Sequence, residues 1–310
     1  MAEEKDDILL QVTDLKQYFK MPGREILKAV DGVTFSIRKG ETYGLVGESG
    51  SGKTTIGRAL IRIYNPTGGT VLFNGREISK KLSRAEKKQL TGEMQMIFQD
   101  PQASLNPHKK VIDIIGEGLD NHHLYKTKEE RLQKILAIMK RVGLDSEQAY
   151  RYPHQFSGGQ RQRIGIARAF IANPQMVIAD EAISALDVSV QAQVVNLMKD
   201  LQEELGTTYL FIAHDLAMVK YISDHIGVLH LGHLVETGTR DEIFNHPVHP
   251  YTKSLLSAIP VTDPDVERNR VAIPYDYASS GIDYSKGTYH LTEGEHYVLA
   301  TDEEFTRWNA

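Results

Sequence analysis

Gly47-Glu48-Ser49-Gly50-Ser51-Gly52-Lys53-Thr54-Thr55 fits the pattern G-x-x-x-x-G-K-[ST] in full. It follows the apolar run Tyr43-Gly44-Leu45-Val46 and precedes Ile56-Gly57-Arg58-Ala59-Leu60-Ile61, which sets it between a strand and a helix. That context gives the pattern its chemistry. Glycines let backbone N–H groups curl around phosphate oxygens, at a helix N-terminus that carries partial positive charge. Lys53 is expected to reach the β- and γ-phosphates, and Thr54 to offer its hydroxyl to Mg²⁺. With both flanks in place, a glycine-rich turn of no special use is the weaker reading. The chain is expected to bind a nucleoside triphosphate.

A second glycine-rich helix entrance lies more than a hundred residues on: Phe156-Ser157-Gly158-Gly159-Gln160, leading into Arg161-Gln162-Arg163-Ile164-Gly165-Ile166-Ala167-Arg168-Ala169. A serine and two glycines there make another phosphate-grade helix N-terminus. One P-loop has no evident need of two such sites within a chain. With Ser157-Gly158-Gly159-Gln160 the sequence resembles the ATP-binding-cassette family, whose signature this is. The resemblance implies that the signature of one subunit closes over ATP held by the P-loop of another.

The chain as a whole sets the bounds. Its 310 residues can bury a large core and hold one or two domains. With 36 basic and 41 acidic side chains the formal charge is −5, so no basic field points to nucleic acid. The doublets Lys80-Lys81, Lys87-Lys88 and Lys109-Lys110 read as solvated surface. There is no cysteine, which excludes disulfides and Cys-ligated iron–sulfur clusters. Met1-Ala2-Glu3-Glu4-Lys5-Asp6-Asp7 lacks an apolar core, so no secretory signal is expected. No stretch approaches the roughly 20 apolar residues that cross a bilayer. The reading is a cytoplasmic protein that meets a membrane only through a partner.

Along the chain, Ile8 to Val12, Val33 to Ile37 and Val71 to Ile78 read as strands, with Asn74-Gly75 as a type I′ hairpin turn. They are short, turn-linked and outside a βα rhythm, which suggests an antiparallel layer. The P-loop strand, Met176 to Ala179 and Tyr209 to Ala213 are continuous apolar runs, the pattern of parallel strands buried on both faces. The core is therefore read as an α/β sheet. From Asp100 to Arg168 the pattern turns mostly helical. Thr127-Lys128-Glu129-Glu130 reads as a capping box, with Leu132, Ile135, Leu136, Met139 and Val142 behind it and Gly143 as the stop. Ser189 is expected to cap a helix bearing Val190, Val194, Leu197, Met198 and Leu201, ended by Gly206. Ile226 to Leu231 and His233 to Val235 suggest a hairpin around Gly232. After Pro260 a polar tail carrying several tyrosines follows, with His296 to Ala300 as one strand and a short helix after it.

Hydrolysis needs a positioned water, a carboxylate to take its proton and Mg²⁺ to spread charge. Met176-Val177-Ile178-Ala179-Asp180-Glu181 delivers two acids at a strand end. Neighbouring strand side chains point oppositely, so the two are expected to have different tasks. The resemblance implies that Asp180 orients Mg²⁺ and that Glu181 is the general base. It likewise implies a Q-loop role for Gln99, touching Mg²⁺ and the attacking water, and a γ-phosphate contact for His214. Ser184-Ala185-Leu186-Asp187 matches the D-loop that crosses the dimer interface. An adenine needs a flat partner to stack on, and in Leu15-Lys16-Gln17-Tyr18-Phe19 the spacing favours Phe19 over Tyr18. Ala182 departs from the family's usual proline after the base, which alters a turn and removes no ligand. His122 and His123 read as surface residues.

The resemblance spans roughly residues 8 to 265. It sharpens to the peptide and nickel importer ATPases at Gln99-Asp100-Pro101-Gln102-Ala103-Ser104-Leu105-Asn106-Pro107, at Arg151-Tyr152-Pro153-His154-Gln155-Phe156-Ser157, and at His246-Pro247-Val248-His249-Pro250-Tyr251-Thr252 with Leu255 to Pro260. Ser184 to Gln193 draws it toward oligopeptide-permease ATPases of Gram-positive type. The fold implied is a P-loop NTPase: a nucleotide-binding domain over 7–265 with an antiparallel β subdomain, a RecA-like parallel core and an inserted helical subdomain over about 100–168. Residues 266–310 then form an extension. ATP and Mg²⁺ are the implied cofactors. The implied partners are a second, OppD-like ATPase subunit, two transmembrane permease subunits and, through them, an extracellular substrate-binding protein. A dipeptide or nickel importer ATPase is the nearest alternative. A soluble ATPase of DNA maintenance would need a long coiled-coil insertion, which the hundred residues between the two motifs do not supply.

Overall fold

The computed structural model describes residues 7–259 and 272–309. The change of texture read after Pro260 and the domain boundary at 265/266 lie outside the described residues. Twelve strands are described: β1 (Ile8–Lys20), β2 (Ile26–Arg38), β3 (Thr42–Val46), β4 (Gly68–Phe73), β5 (Arg76–Glu77), β6 (Met94–Ile97), β7 (Met176–Asp180), β8 (Thr208–Ile212), β9 (His225–His230), β10 (His233–Thr239), β11 (Thr288–Leu291) and β12 (Tyr297–Ala300). The helices are α1 (Lys53–Leu60), α2 (Arg84–Glu93), α3 (Pro101–Ser104), α4 (Val111–His122), α5 (Lys128–Arg141), α6 (Gly158–Phe170), α7 (Val188–Leu205), α8 (Leu216–Ile222), α9 (Arg240–Asn245), α10 (Pro250–Ser257), α11 (Tyr277–Ser280) and α12 (Asp302–Trp308).

The apolar runs become strands whose alternate side chains enter two different cores. In β7 and β8, Ile178, Leu210 and Ile212 pack with Leu10, Val12, Val33 and Val71 of the antiparallel layer. Val177, Tyr209 and Phe211 face the opposite way and pack with Ile115, Ile164, Val194 and Met198 of the helices. A strand with apolar surroundings on both sides needs no polar alternation, which is why these runs are continuous. The antiparallel layer has the order β2-β1-β4-β5. Asn74 and Gly75 both have positive φ, 48° and 74°, as a type I′ turn requires.

The larger sheet has the order β11-β12-β10-β9-β3-β8-β7-β6. From β9 to β6 the strands run parallel, as expected for β3, β7 and β8. Two members of that set were not anticipated. Met94–Ile97 is a four-residue edge strand beside β7, and β9 serves both the expected hairpin with β10 and a parallel pairing with β3. The tail is no separate appendage, since β12 pairs with β10 and β11 with β12.

Two helix starts differ from expectation. Thr127 caps α5 by accepting from Glu130 N, but the Glu130 carboxylate takes the amide of Lys126 at 2.7 Å, so the box closes one residue early. Helix α7 begins at Val188 behind Asp187, not behind Ser189, because Val190 N and Gln191 N already bond to the Asp187 carbonyl. Its apolar stripe otherwise falls as read, with Val194, Leu197, Met198 and Leu201 buried, Val190 half-buried and Gly206 closing the helix at φ 65°.

Candidate nucleotide site

Parallel strands deliver their following loops to one edge of the sheet. Leu45 of β3 lies beside Ile212 of β8, Ile212 beside Asp180 of β7, and Ala179 beside Ile97 of β6. The residues just beyond these positions are the P-loop, His214, Glu181 and Gln99. Four segments far apart in sequence thus meet because their strands are neighbours in register.

The P-loop joins β3 to α1 with Gly52 at the helix N-cap, φ 110° and ψ 0°. A Cβ on Gly52 would stand 2.4 Å from the Ala29 carbonyl oxygen, and one on Gly47 only 2.0 Å from that of Leu229. Glycine is required at both points by the backbone packed behind the loop. The Lys53 ammonium curls back over the loop and donates to the carbonyls of Gly47 (2.6 Å) and Glu48 (2.8 Å). Burial pushes its pKa below the usual lysine value, against the pull of Glu181, Asp180 and Glu48.

Asp180 has the strand parity of Ile178, so it faces α1, and it accepts a 2.7 Å hydrogen bond from the Thr54 hydroxyl. Burial raises its pKa, opposed by that hydroxyl and by Arg58. Glu181 corrects the expectation drawn from strand alternation. The strand ends at Asp180, and Glu181 takes a left-handed backbone, φ 46°. Its carboxylate accepts from Gln99 Nε2 at 2.6 Å and lies 3.8 Å from His214 Nδ1. The two acids are set apart by that turn, not by the pleat. The loop continuing through Ala182 is closed by Ser184, whose amide and hydroxyl both donate to the Glu181 carbonyl.

Thr54, Asp180 and Gln99 form an oxygen-donor set suited to a hard cation such as Mg²⁺. Among the described residues no three His, Asp or Glu side chains are grouped to hold a metal alone. Ser49, Gly50, Ser51 and Thr55 complete the loop and the first turn of α1, and the Ser51 carbonyl is held by the amide of Gly232 at 2.9 Å.

The two adenine-stacking candidates sit differently. The Tyr18 hydroxyl bonds to Asp31 at 2.5 Å while Lys28 stands over its ring. Phe19 is half-buried and rests edge-on against Tyr64, 5.2 Å between centroids. The signature lies elsewhere. Ser157 caps α6 in a reciprocal box with Gln160, and Gly158 and Gly159 open the helix. A cleft of about 280 Å³ beside them is lined by Arg163, Leu186, Asp187 and Val190, with no P-loop residue. His122 is half-buried and His123 exposed. One contact had no sequence signal: the hydroxyl of Tyr251, on α10, accepts from the amide of Glu48 at 2.9 Å.

The chain belongs to the ATP-binding-cassette transporter ATPases. The ABC transporter family model matches residues 30–184, and the model for the C-terminal region of oligopeptide/dipeptide transporters matches 235–280. The chain is 58% identical over 298 residues to the oligopeptide transport ATP-binding protein OppF of Bacillus subtilis, covering 96% of this chain and 97% of that one. It is 52% identical over 306 residues to the dipeptide transport ATP-binding protein DppF of Lactococcus lactis, covering 98% and 97%. Among solved structures it resembles cbiO1 of Clostridium perfringens, part of the transporter complex cbiONQ (TM-score 0.68, 27% identity, 77% of this chain and 92% of that one). It also resembles the dimeric post-hydrolysis state of the ATP-binding cassette MJ0796 with ADP and phosphate (TM-score 0.68, 29% identity, 74% and 98%).

Proposed function

We propose that this chain is the ATP-hydrolysing subunit of a membrane importer for oligopeptides, acting on the cytoplasmic face of the membrane. The observation that carries the reading is the convergence of Lys53, Thr54, Asp180, Glu181, Gln99 and His214 on one sheet edge. Full-length likeness to the oligopeptide ATPase of Bacillus subtilis supports the cargo.

In the proposed reaction the P-loop amides and Lys53 cradle the phosphates of ATP. Thr54, Asp180 and Gln99 would hold Mg²⁺, which when bound spreads the charge developing on the transferred phosphoryl group. Glu181 takes the proton of the attacking water, and the Gln99 amide and His214 keep its carboxylate and the γ-phosphate in line. An amide suits this place because it can face metal and water without adding charge. Phe19 stacks on the adenine.

The signature residues Ser157, Gly158, Gly159 and Gln160 have no P-loop beside them in their own chain. Their proposed partner is the ATP on a second, OppD-like ATPase, with Asp187 at the crossing between subunits. ATP then acts as shared interface, so binding favours the closed pair and hydrolysis releases it. Two permease subunits convert closure into transport, and an extracellular binding protein supplies the peptide. No nucleic acid takes part, and no iron–sulfur cluster is expected of a chain without cysteine.

Purification of the tagged chain from native membranes tests this. Two permeases, a second ATPase and an oligopeptide-binding protein in the eluate would support it. A dipeptide- or metal-binding protein would change the cargo and keep the mechanism. Soluble partners alone would overturn transport.

A further inference from the structure

The contact between Tyr251 and the P-loop ends a continuous buried network that begins in the C-terminal tail. His296, just before β12, sets its Nε2 2.7 Å from a carboxylate oxygen of Glu236 on β10. Glu236 also accepts from the amides of Val248 (2.7 Å) and His249 (3.0 Å), the residues leading into α10. His249 caps that helix, its Nδ1 accepting from Tyr251 N at 3.1 Å. Glu236, His249 and His296 are each 0% exposed, and Tyr251 is 1% exposed. A fully buried carboxyl group with three partners fixes the backbone around it closely, since moving any of them leaves a buried polar atom without its hydrogen bond.

The Tyr251 ring is fixed as well. It packs on His230 with centroids 4.1 Å apart, and His230 Nδ1 is 2.6 Å from the Tyr284 hydroxyl. The hydroxyl is thereby aimed at the Glu48 amide. Orienting that peptide orients the Gly47 carbonyl, which shares its plane with the Glu48 N–H and is one of the acceptors of the Lys53 ammonium.

We propose that Tyr251 is a positioning residue of the nucleotide site. Through its hydroxyl, the buried network of Glu236, His249 and His296 holds the rim of the P-loop in its phosphate-accepting shape. That network is thus a working part of the ATPase site. The proposal rests on the P-loop reading above.

The test compares Tyr251→Phe with Tyr284→Phe in the full chain, reading ATP affinity, turnover at saturating ATP and amide exchange at Glu48. The first variant removes only the hydroxyl at the P-loop. The second loosens the same aromatic cluster without touching the loop. Tyr251→Phe is expected to weaken ATP binding roughly three- to tenfold, the range of one net hydrogen bond, with a smaller effect on turnover at saturation. Tyr284→Phe is expected to lower affinity by less than Tyr251→Phe, because it loosens the packing around the Tyr251 ring but leaves the hydroxyl at Glu48 in place. Equal losses in both variants, or none in Tyr251→Phe, overturn the proposal. A wild-type chain that binds no ATP overturns this and the P-loop reading together. Amide exchange in the wild-type chain decides the matter even where a variant does not fold. Slowed exchange at Glu48, an exposed loop residue, supports the hydrogen bond, and exchange at the rate of a free loop overturns it.

Discussion

Glu181 is held in a left-handed backbone that a non-glycine residue adopts at a cost of order 1–3 kcal/mol. The turn places its carboxylate against Gln99 and near His214 instead of among the helices, where strand parity would send it. The residue types were legible in the sequence, because an acid pair after an apolar run has few structural uses. The turn was not, since nothing local distinguishes a glutamate that continues a strand from one that ends it. The proposed adenine partner is also argued at this scale. Tyr18 is engaged by Asp31 and Lys28, its pKa pushed up to about 12 by burial and then by Asp31, which favours Phe19 as the proposed stacking residue. Phe19→Ala is expected to weaken ATP binding roughly fivefold or more, the usual value of one aromatic–base stack. Tyr18→Ala should leave it within about twofold if the Tyr18 ring does not stack on adenine. A fluorescent-nucleotide titration of both variants checks this, and a larger loss from Tyr18→Ala than from Phe19→Ala would move the adenine to Tyr18.

Among elements, the strands that carry the site were legible because burial on both faces leaves unbroken apolar runs. Met94–Ile97 escaped notice because it is short and enters a helical stretch directly through Phe98 and Gln99. Of the tail strands β12 was read, from His296 to Ala300, while β11 and the pairing of β12 with β10 escaped, because partners such as Glu236 and Val298 lie far apart in sequence. Position fixes the ionisation of the histidines that join these elements. Burial, with the charge of His233 adding to it, lowers the pKa of His230 to about 4, and burial with His230 lowers that of His249 to about 3. Both titrate higher when unfolded, so the unfolded chain binds more protons below pH 6.5. Their contribution is complete above pH 6.5 and is lost as pH falls toward the folded values. Thermal unfolding midpoints should therefore drop between about pH 6.5 and 5, where few carboxylates titrate. His230→Asn, which cannot take the proton, should show a shallower drop. An unchanged slope would remove His230 from the account.

At the scale of the whole molecule, one chain carries a complete phosphate-binding edge and a signature that faces its own D-loop cleft. The proposed resolution is a pair of ATPases that exchange signatures across two ATP molecules. Composition and motif order made this legible, because two phosphate-grade helix entrances in one chain ask for a second chain. Which second chain it is was not legible, since recognition between subunits depends on surface shape and not on short motifs. The central claim is that this edge hydrolyses ATP with Glu181 as the base. The most direct measurement is single-turnover ATP hydrolysis by Glu181→Gln in the purified membrane complex, with bound nucleotide counted in the same sample. The account predicts hydrolysis at this site slowed roughly 10²-fold or more, with ATP still bound. Near-normal turnover with ATP bound as in the wild type would contradict it.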